Sequence, residues 1–477
     1  MNPWWSGEKF VAPEVMKRWA FEPLLRSLHG ELSPATVLRG PRQVGKTTLQ
    51  NQLIAHLLDE GMAPKRILRV QFDELPALKK LGSPLIEITE WYAQNILGKT
   101  LNQAVLDGER PYVFLDEVQN LPDWAPQLKH LVDIGRVRAL VTGSSALRIE
   151  AGRDSLAGRI FTIDVGPLLL REIAALHGFG HVPPHLPFNG LSPLKEKAFW
   201  QDLRAHGEKH AELRHRAFAA FSERGGYPKA QASDDEPWER VADFLVETVV
   251  KRAIQHDLRL GPRGKKRDEN LLEEVFRLAC RYAGQSPKQA TYVEELNRGL
   301  HANIGWQRVL AYLKFLDGSL LLRLIEPAEL RLKKRKGPAK VCLCDPALRR
   351  AWLQEEIPLD PARLAQVPEQ ADLAGHLAES VAGYFFASIT GLDVAWFPEM
   401  AAEPEVDFVL TVGDQRIPVE IKYRRRIKPS DTLGLRAFIE KSVYRAPFGV
   451  LITQFEEPGS DDPRIVSMPL STLLMLR

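Results

Sequence analysis

Apolar and polar residues follow two different spacings along this chain, and the changes between them mark its parts. In "VMKRWAFEPLLRSL" (15–28) apolar residues recur three and four apart, so the first thirty residues read as helix. "ATVLRG" (35–40) is a short apolar run ending in glycine, followed by the helix-forming "KTTLQNQLIAHLL" (46–58). Three further runs, "RILRVQFD" (66–73), "YVFLDE" (112–117) and "RALVTGSS" (138–145), are separated by helix-length spans. Strands alternating with helices predict an α/β fold with a doubly wound, mostly parallel sheet. From about residue 168 the helical spacing takes over, interrupted by the proline-rich "HVPPHLPFNGLSP" (181–193). Between 270 and 350 helices give way to two apolar runs, "SLLLRLIEP" (319–327) and "AKVCLCD" (339–345), on either side of the basic "RLKKRK" (331–336). The stretch 355–370 has the composition of a linker, and the final hundred residues mix both spacings.

Composition narrows the class. At 477 residues the chain is too long for one core and predicts two to four domains. Its 44% apolar and 26% charged residues are those of an ordinary globular protein. No stretch approaches the roughly 20 apolar residues of a membrane span, and the start lacks a secretory pattern. Cys280, Cys342 and Cys344 form no disulfide framework, which fits a reducing, cytoplasmic location. The net charge of +3 is close to balance, so three local basic runs matter more: "GKKR" (264–267), "RLKKRK" (331–336) and "KYRRRIK" (422–428).

"GPRQVGKTT" carries the clearest chemistry. Gly40, Pro41, Arg42, Gln43, Val44, Gly45, Lys46, Thr47 and Thr48 satisfy the phosphate-binding loop pattern between a strand and a helix. The two glycines let the backbone N–H groups curl toward phosphate, Lys46 reaches the β and γ oxygens, and Thr47 offers a hydroxyl to Mg²⁺. In "YVFLDE" the strand ends at Asp116 and Glu117, where Asp116 is placed to hold Mg²⁺ and Glu117 to orient or deprotonate water. The cofactors expected are therefore ATP and Mg²⁺. "VTGSS" brings Thr142, Ser144 and Ser145 to the same sheet edge, with Ser144 the candidate for sensing the γ-phosphate.

"GPRQVGKTTL", "FLDEVQNLPDW", "VTGSSAL" and "SLAGRIFTIDVGPLLLREI" together resemble the AAA+ domain of a large prokaryotic family of ATP-binding proteins whose C-terminal domain has no assigned function. "GGYPKA" (225–230), "DPALRRAW" (345–352), "GHLAESVAGYFF" (375–386) and "EVDFV…VEIK" continue the resemblance over nearly the whole chain. It implies a N-terminal helical segment (1–32), an AAA+ P-loop core (33–175), a helical lid (176–265), a winged helix (266–352), a linker (353–370) and a C-terminal α/β restriction-endonuclease-like domain (371–477). It also implies a ring, expected to be a hexamer, in which an arginine completes the neighbouring site. Arg159 is the first candidate for that finger and Arg153 the second; "PLLLREI" stands where the family has a "PLSFREF"-like stretch.

Two further groups of residues point to DNA. Lys333, Lys334, Arg335 and Lys336 fall on the loop between the two apolar runs, the place of a wing that touches phosphates without reading bases. In the C-terminal region Asp407 precedes a turn, and Glu420 and Lys422 alternate on the strand after it. With Glu379 from the preceding helix they form an Asp…Glu-x-Lys set of the kind that holds Mg²⁺ in phosphodiester cleavage. Arg424 and Arg425 follow at once and suit a nucleic-acid backbone. Cys342 and Cys344 read as buried thiols, and His177, His181 and His185 as loop residues, because prolines forbid the helix their spacing would need. The leading reading is a DNA-binding AAA+ ATPase that couples hydrolysis to movement on, or remodelling of, duplex or branched DNA, branch migration included. The alternatives are an ATP-gated Mg²⁺-dependent nuclease and a nucleotide-controlled switch in signalling or defence.

Overall fold

The computed structural model describes every residue except 1, 14, 73–80, 122, 144–155, 188–189, 258–267, 331–332, 335–336, 400–402 and 457–459, and the side chains of 330, 333 and 334. The chain forms two compact units, Met1–Gly166 and Pro167–Arg477.

The first unit is built on β1 (Ala35–Arg39), β2 (Ile67–Gln71), β3 (Tyr112–Asp116), β4 (Arg138–Gly143) and β5 (Ile160–Asp164). They form one parallel sheet in the order β2-β3-β4-β1-β5. The central strands β1 and β4 are buried along their whole length, as continuous apolar runs in a covered parallel sheet should be. The outer strands β2 and β5 carry half-buried polar residues such as Arg69 and Thr162. β5, hidden from the spacing by its polar residues, is fastened by Arg39, whose Nε and Nη2 donate to the two carboxylate oxygens of Asp164 at 2.7 and 2.8 Å.

The N-terminal segment departs from the helical expectation. Pro3–Ser6 is a single 3-10 turn, and the α-helix begins only at Phe21, running to His29. The reason is the edge of the sheet: Asn2 exchanges two hydrogen bonds with the Arg69 backbone, and the indoles of Trp4 and Trp5 both donate to the Ile67 carbonyl. These side chains shield an exposed strand edge, a task that competes with helix formation.

The second unit opens with helices, including Lys197–Lys209, Ala211–Arg224, Trp238–Leu245, Glu269–Arg281, Gln289–Leu300 and Trp306–Gly318. Next come β6 (Leu322–Ile325), β7 (Glu329–Leu330), β8 (Lys333–Lys334) and β9 (Lys340–Leu343). β6 pairs with β9 and β7 with β8, both antiparallel, so the two apolar runs do form a hairpin. A mixed sheet follows: β10 (Asp393–Phe397), β11 (Val406–Val412), β12 (Gln415–Lys422), β13 (Gly449–Thr453) and β14 (Ile465–Pro469), in sequence order. β10, β11 and β12 run antiparallel, while β12, β13 and β14 run parallel. Gly413 at φ 63° allows the two-residue turn between β11 and β12.

The segments of this unit interlock. The Ala328 amide donates to the Trp396 carbonyl at 2.7 Å, and the Trp396 amide to the Glu326 carbonyl at 3.1 Å, joining the hairpin to β10. The stretch expected as a linker is packed: Ile357 and Leu359 are buried, and the amides of Leu359 and Asp360 both donate to the Ser222 hydroxyl at 2.8 Å. "GGYPKA" and "DPALRRAW" meet directly. Asp345 is fully buried, accepts from the Gly226 and Ala347 amides at 2.6 and 2.7 Å, and would collide with any Cβ at Gly225, which would lie 2.0 Å from its Oδ1.

Candidate nucleotide site and C-terminal carboxylate site

The loop Gly40–Gly45 leaves the carboxyl end of β1, the end at which open parallel sheets bind ligands. Only glycine fits at position 40, because a Cβ there would stand 2.2 Å from the Val165 carbonyl oxygen. Gln43 and Gly45 adopt φ of 64° and 92°, which turns the loop back on itself. The helix Lys46–Asp59 begins there with no side chain capping its amides, leaving them available to an anion. From the N-terminal segment the buried Arg18 donates Nη1 to the Val44 carbonyl at 2.7 Å and to the Gly166 carbonyl at 3.0 Å. Nothing in the spacing near Arg18 announces this role. It fixes the loop carbonyl and thereby the direction of the neighbouring amides.

Lys46 is buried and donates to the Gly40 and Pro41 carbonyls at 2.9 and 2.8 Å. Burial pulls its pKa down, while the charges of Glu117 and Asp116 act in the opposite sense. Thr47 donates to Asp116 Oδ2 at 2.9 Å, so the hydroxyl and carboxylate expected to share Mg²⁺ are already adjacent. Burial raises the Asp116 carboxyl above its usual range, and hydrogen bonds from Thr142 and Thr47 oppose the shift. These two oxygen donors are the hard ligands that Mg²⁺ prefers.

Thr142 does more than its place after a strand suggests. Its hydroxyl donates to Asp116 Oδ1 and accepts the Glu117 amide at 3.2 Å. One side chain from β4 therefore orients both acids at the end of β3. Glu117 sits at φ 55°, a left-handed conformation that costs a non-glycine residue roughly 1–2 kcal/mol. Gln119 Nε2 donates to its Oε2. Ser144, Ser145 and Arg153 lie outside the described residues.

Arg159 precedes β5, and the register Ala35↔Ile160 puts it at the end of the parallel sheet opposite Gly40. It cannot serve the phosphates of its own loop. Its Nε donates to Asp133 Oδ1 at 2.6 Å on a half-exposed surface.

The C-terminal residues come together as their spacing predicts. Glu379 projects from the helix Ala371–Ala387, Asp407 from β11, and Glu420 and Lys422 from one face of β12. Asp407 Oδ2 accepts the Ile421 amide at 2.9 Å, and Lys422 Nζ is bonded to Glu420 Oε1. The fifth member was not foreseen. Lys340, from β9, is 1% exposed and donates to Glu379 Oε2 at 2.9 Å and Asp407 Oδ1 at 3.0 Å, with Glu405 Oε1 at 3.7 Å. In "AKVCLCD" it reads as the polar entry to an apolar strand; its partners lie 39 and 67 residues away.

Burial opposes the Lys340 charge, yet Asp407, Glu379 and Glu405 together hold its pKa well above the ordinary value. Burial likewise works against Asp407 ionising, but the Lys340 and Lys422 charges keep its carboxyl below the usual range. Burial, and next the Asp407 charge, push the Glu420 carboxyl up to about 8 despite the Lys422 contact. An ammonium thus stands between Glu379 and Asp407, two of the carboxylates that a divalent ion would bridge. The site does not fit Mg²⁺ as it stands. Among the described residues no group of three or more His, Cys, Asp or Glu side chains is arranged to hold a metal ion.

The basic surfaces are divided in the same way. Arg424, Arg425 and Arg426 are exposed after β12, though Arg424 is bonded to Asp431. Lys333 and Lys334 have backbone in β8, but their side chains, with Arg335, Lys336 and 264–267, lie outside the described residues. Cys280, Cys342 and Cys344 are buried free thiols, as expected of Cys342 and Cys344. No helix among the described residues is long and apolar enough to cross a membrane.

Residues 32–174 match the family model of an AAA domain, which places the P-loop core in the AAA+ ATP-binding class. Residues 215–357 and 377–473 match two domains of unknown function, DUF8612 and DUF4143. An uncharacterized protein of Methanocaldococcus jannaschii is 27% identical over 267 residues, 54% of this chain and 50% of that protein. An uncharacterized protein of Mycobacterium tuberculosis is 28% identical over 198 residues, 39% of this chain and 37% of that protein. The chain thus spans half or less of the length of these relatives. The Walker-type ATPase of Pyrococcus abyssi aligns in structure over 72% of this chain and all of that one, at 14% identity and a TM-score of 0.40.

Proposed function

We propose that the chain is an ATP-hydrolysing AAA+ motor that acts on duplex or branched DNA, working as a ring. The observation that carries hydrolysis is the group at the end of β3 and β4: Thr47 on Asp116, and Thr142 holding Asp116 and the Glu117 amide together. Phosphates enter the loop beneath the uncapped helix amides, and Lys46 exchanges the Gly40 and Pro41 carbonyls for β and γ oxygens. Thr47 and Asp116 would hold Mg²⁺, whose charge would offset that of the phosphates. Glu117 orients the attacking water and accepts its proton, with its backbone pinned by Thr142. Lys46, Thr47 and Asp116 thus bind, and Glu117 acts on the reacting water.

Arg159, far from its own loop, is the side chain offered to a neighbouring subunit, which supports the ring; it must first leave Asp133. Arg425 and Arg426 on the surface after β12, with the basic run Lys333, Lys334, Arg335 and Lys336 of the sequence, are the phosphate contacts we assign to DNA. The nuclease alternative loses weight because two of the carboxylates it needs, Glu379 and Asp407, are paired with Lys340.

The experiment uses labelled duplex and four-way-junction DNA with Mg²⁺, with and without ATP. Intact arms released only with ATP, and lost in Lys46→Ala, are expected. Shortened strands would replace the motor with a nuclease, and ATP turnover indifferent to either DNA would replace it with a switch.

A further inference from the structure

The C-terminal cluster poses a question separate from ATP hydrolysis: what neutralises the buried carboxyl groups of Asp407 and Glu420 and the largely buried one of Glu379. Glu379, Glu405, Asp407 and Glu420 face two ammonium groups, Lys340 and Lys422. A divalent ion would draw carboxylate oxygens to roughly 2.0–2.6 Å. The Lys340 ammonium already bridges Glu379 and Asp407 at 2.9 and 3.0 Å, and the ring centres of Phe408 and Trp396 lie 5.1 and 5.7 Å from it. One oxygen of each carboxylate, and the position between them, are taken.

The lysine is also held from behind. The Leu343 amide donates to the Ser380 hydroxyl at 2.9 Å on the helix that bears Glu379. Val341 exchanges backbone bonds with Gly284 and Gln285, and β9 is laddered to β6. Helix and strand touch so closely at Gly383 that a Cβ there would stand 2.4 Å from Cys342 Sγ. Glu420, by contrast, is buried with its Oε2 unpartnered among the described residues. It is a carboxylate oxygen without a ligand, next to a cluster whose cation comes from another segment.

We infer that Lys340 is the resident cation of this cluster: it keeps divalent ions out and fastens strand β9 to the α/β sheet, and its removal opens a divalent-cation site formed by Glu379, Asp407 and Glu420. The C-terminal domain in its present form therefore does not cleave through a metal held by these carboxylates. This holds whether or not the P-loop reading is correct, since neither the site nor the test involves nucleotide.

The test uses the full chain without nucleotide, titrated with Mn²⁺ and followed by the electron paramagnetic resonance of free Mn²⁺ and by thermal unfolding. The wild type and Lys340→Arg are expected to take up no Mn²⁺ that Asp407→Asn abolishes, and to melt at the same temperature with and without it. Lys340→Ala gains a single Mn²⁺ site, melts higher in its presence, and loses both effects when combined with Asp407→Asn. Lys340→Met, which keeps more of the volume, should behave as Lys340→Ala. Variants that fold only in Mn²⁺ would support the inference equally. Asp407-dependent Mn²⁺ uptake by the wild type overturns it. So do folded alanine and methionine variants that bind no ion, and variants that stay unfolded with Mn²⁺ present.

Discussion

The P-loop and the C-terminal cluster each bury a lysine beside acids, but their lysines answer to different partners. Lys46 rests on two backbone carbonyls, neutral acceptors that it can leave when phosphate arrives. Lys340 rests on two carboxylates, and leaving them would strand buried charge on both sides. A site stays open to an ionic ligand when its own charges are held by groups that cost little to abandon. It is closed when they are held by buried groups of opposite charge.

The contrast can be broken most strongly on the catalytic side. Glu117→Gln should lower ATP turnover by about 100-fold or more while nucleotide binding persists, read by steady-state hydrolysis beside a fluorescent-nucleotide titration. The next effect is on stability. Lys340→Ala should cost about 3–5 kcal/mol in denaturant unfolding, because it leaves Glu379 and Asp407 without their counter-charge. Lys46→Met should cost about 1 kcal/mol, the worth of ordinary hydrogen bonds. Equal costs would dissolve the comparison. Thr142→Val should remove about 1–3 kcal/mol, since a buried carboxylate and an amide lose a partner together, and should slow turnover more than it weakens binding. Arg18→Ala should be mildest, raising the nucleotide KM about tenfold with kcat nearly kept, as expected for a residue that only positions the loop.

Much of the P-loop unit was legible because its signals are local. A glycine-rich turn, an apolar strand before it and an acidic pair at the next strand's end lie within short windows, and the strands β1 to β4 fall where the apolar runs stand. β5 was not, because an edge strand with Thr162 and Asp164 lacks an unbroken apolar run. Arg18 and Lys340 were missed for another reason. Each acts across a gap in sequence, 26 residues to Val44 and 67 to Asp407, and each sits in a stretch whose spacing already had an ordinary explanation. The glycines of "GGYPKA" show the converse: the motif was visible, but its cause, the buried Asp345, appears only when the two segments are seen together.

The hairpin bonds to Trp396 bear on how this protein can be dissected. A fragment beginning at 371, where composition invites a cut, would keep the carboxylates of the cluster but leave behind Lys340, the partners of β10 and the packing of β9 on the Glu379 helix. Such a piece would carry unbalanced charge in its interior and an uncovered sheet edge, the usual prelude to aggregation on expression. A fragment starting at Pro167 retains all of them. For recombinant work the smallest sensible piece of the C-terminal half is the whole of it.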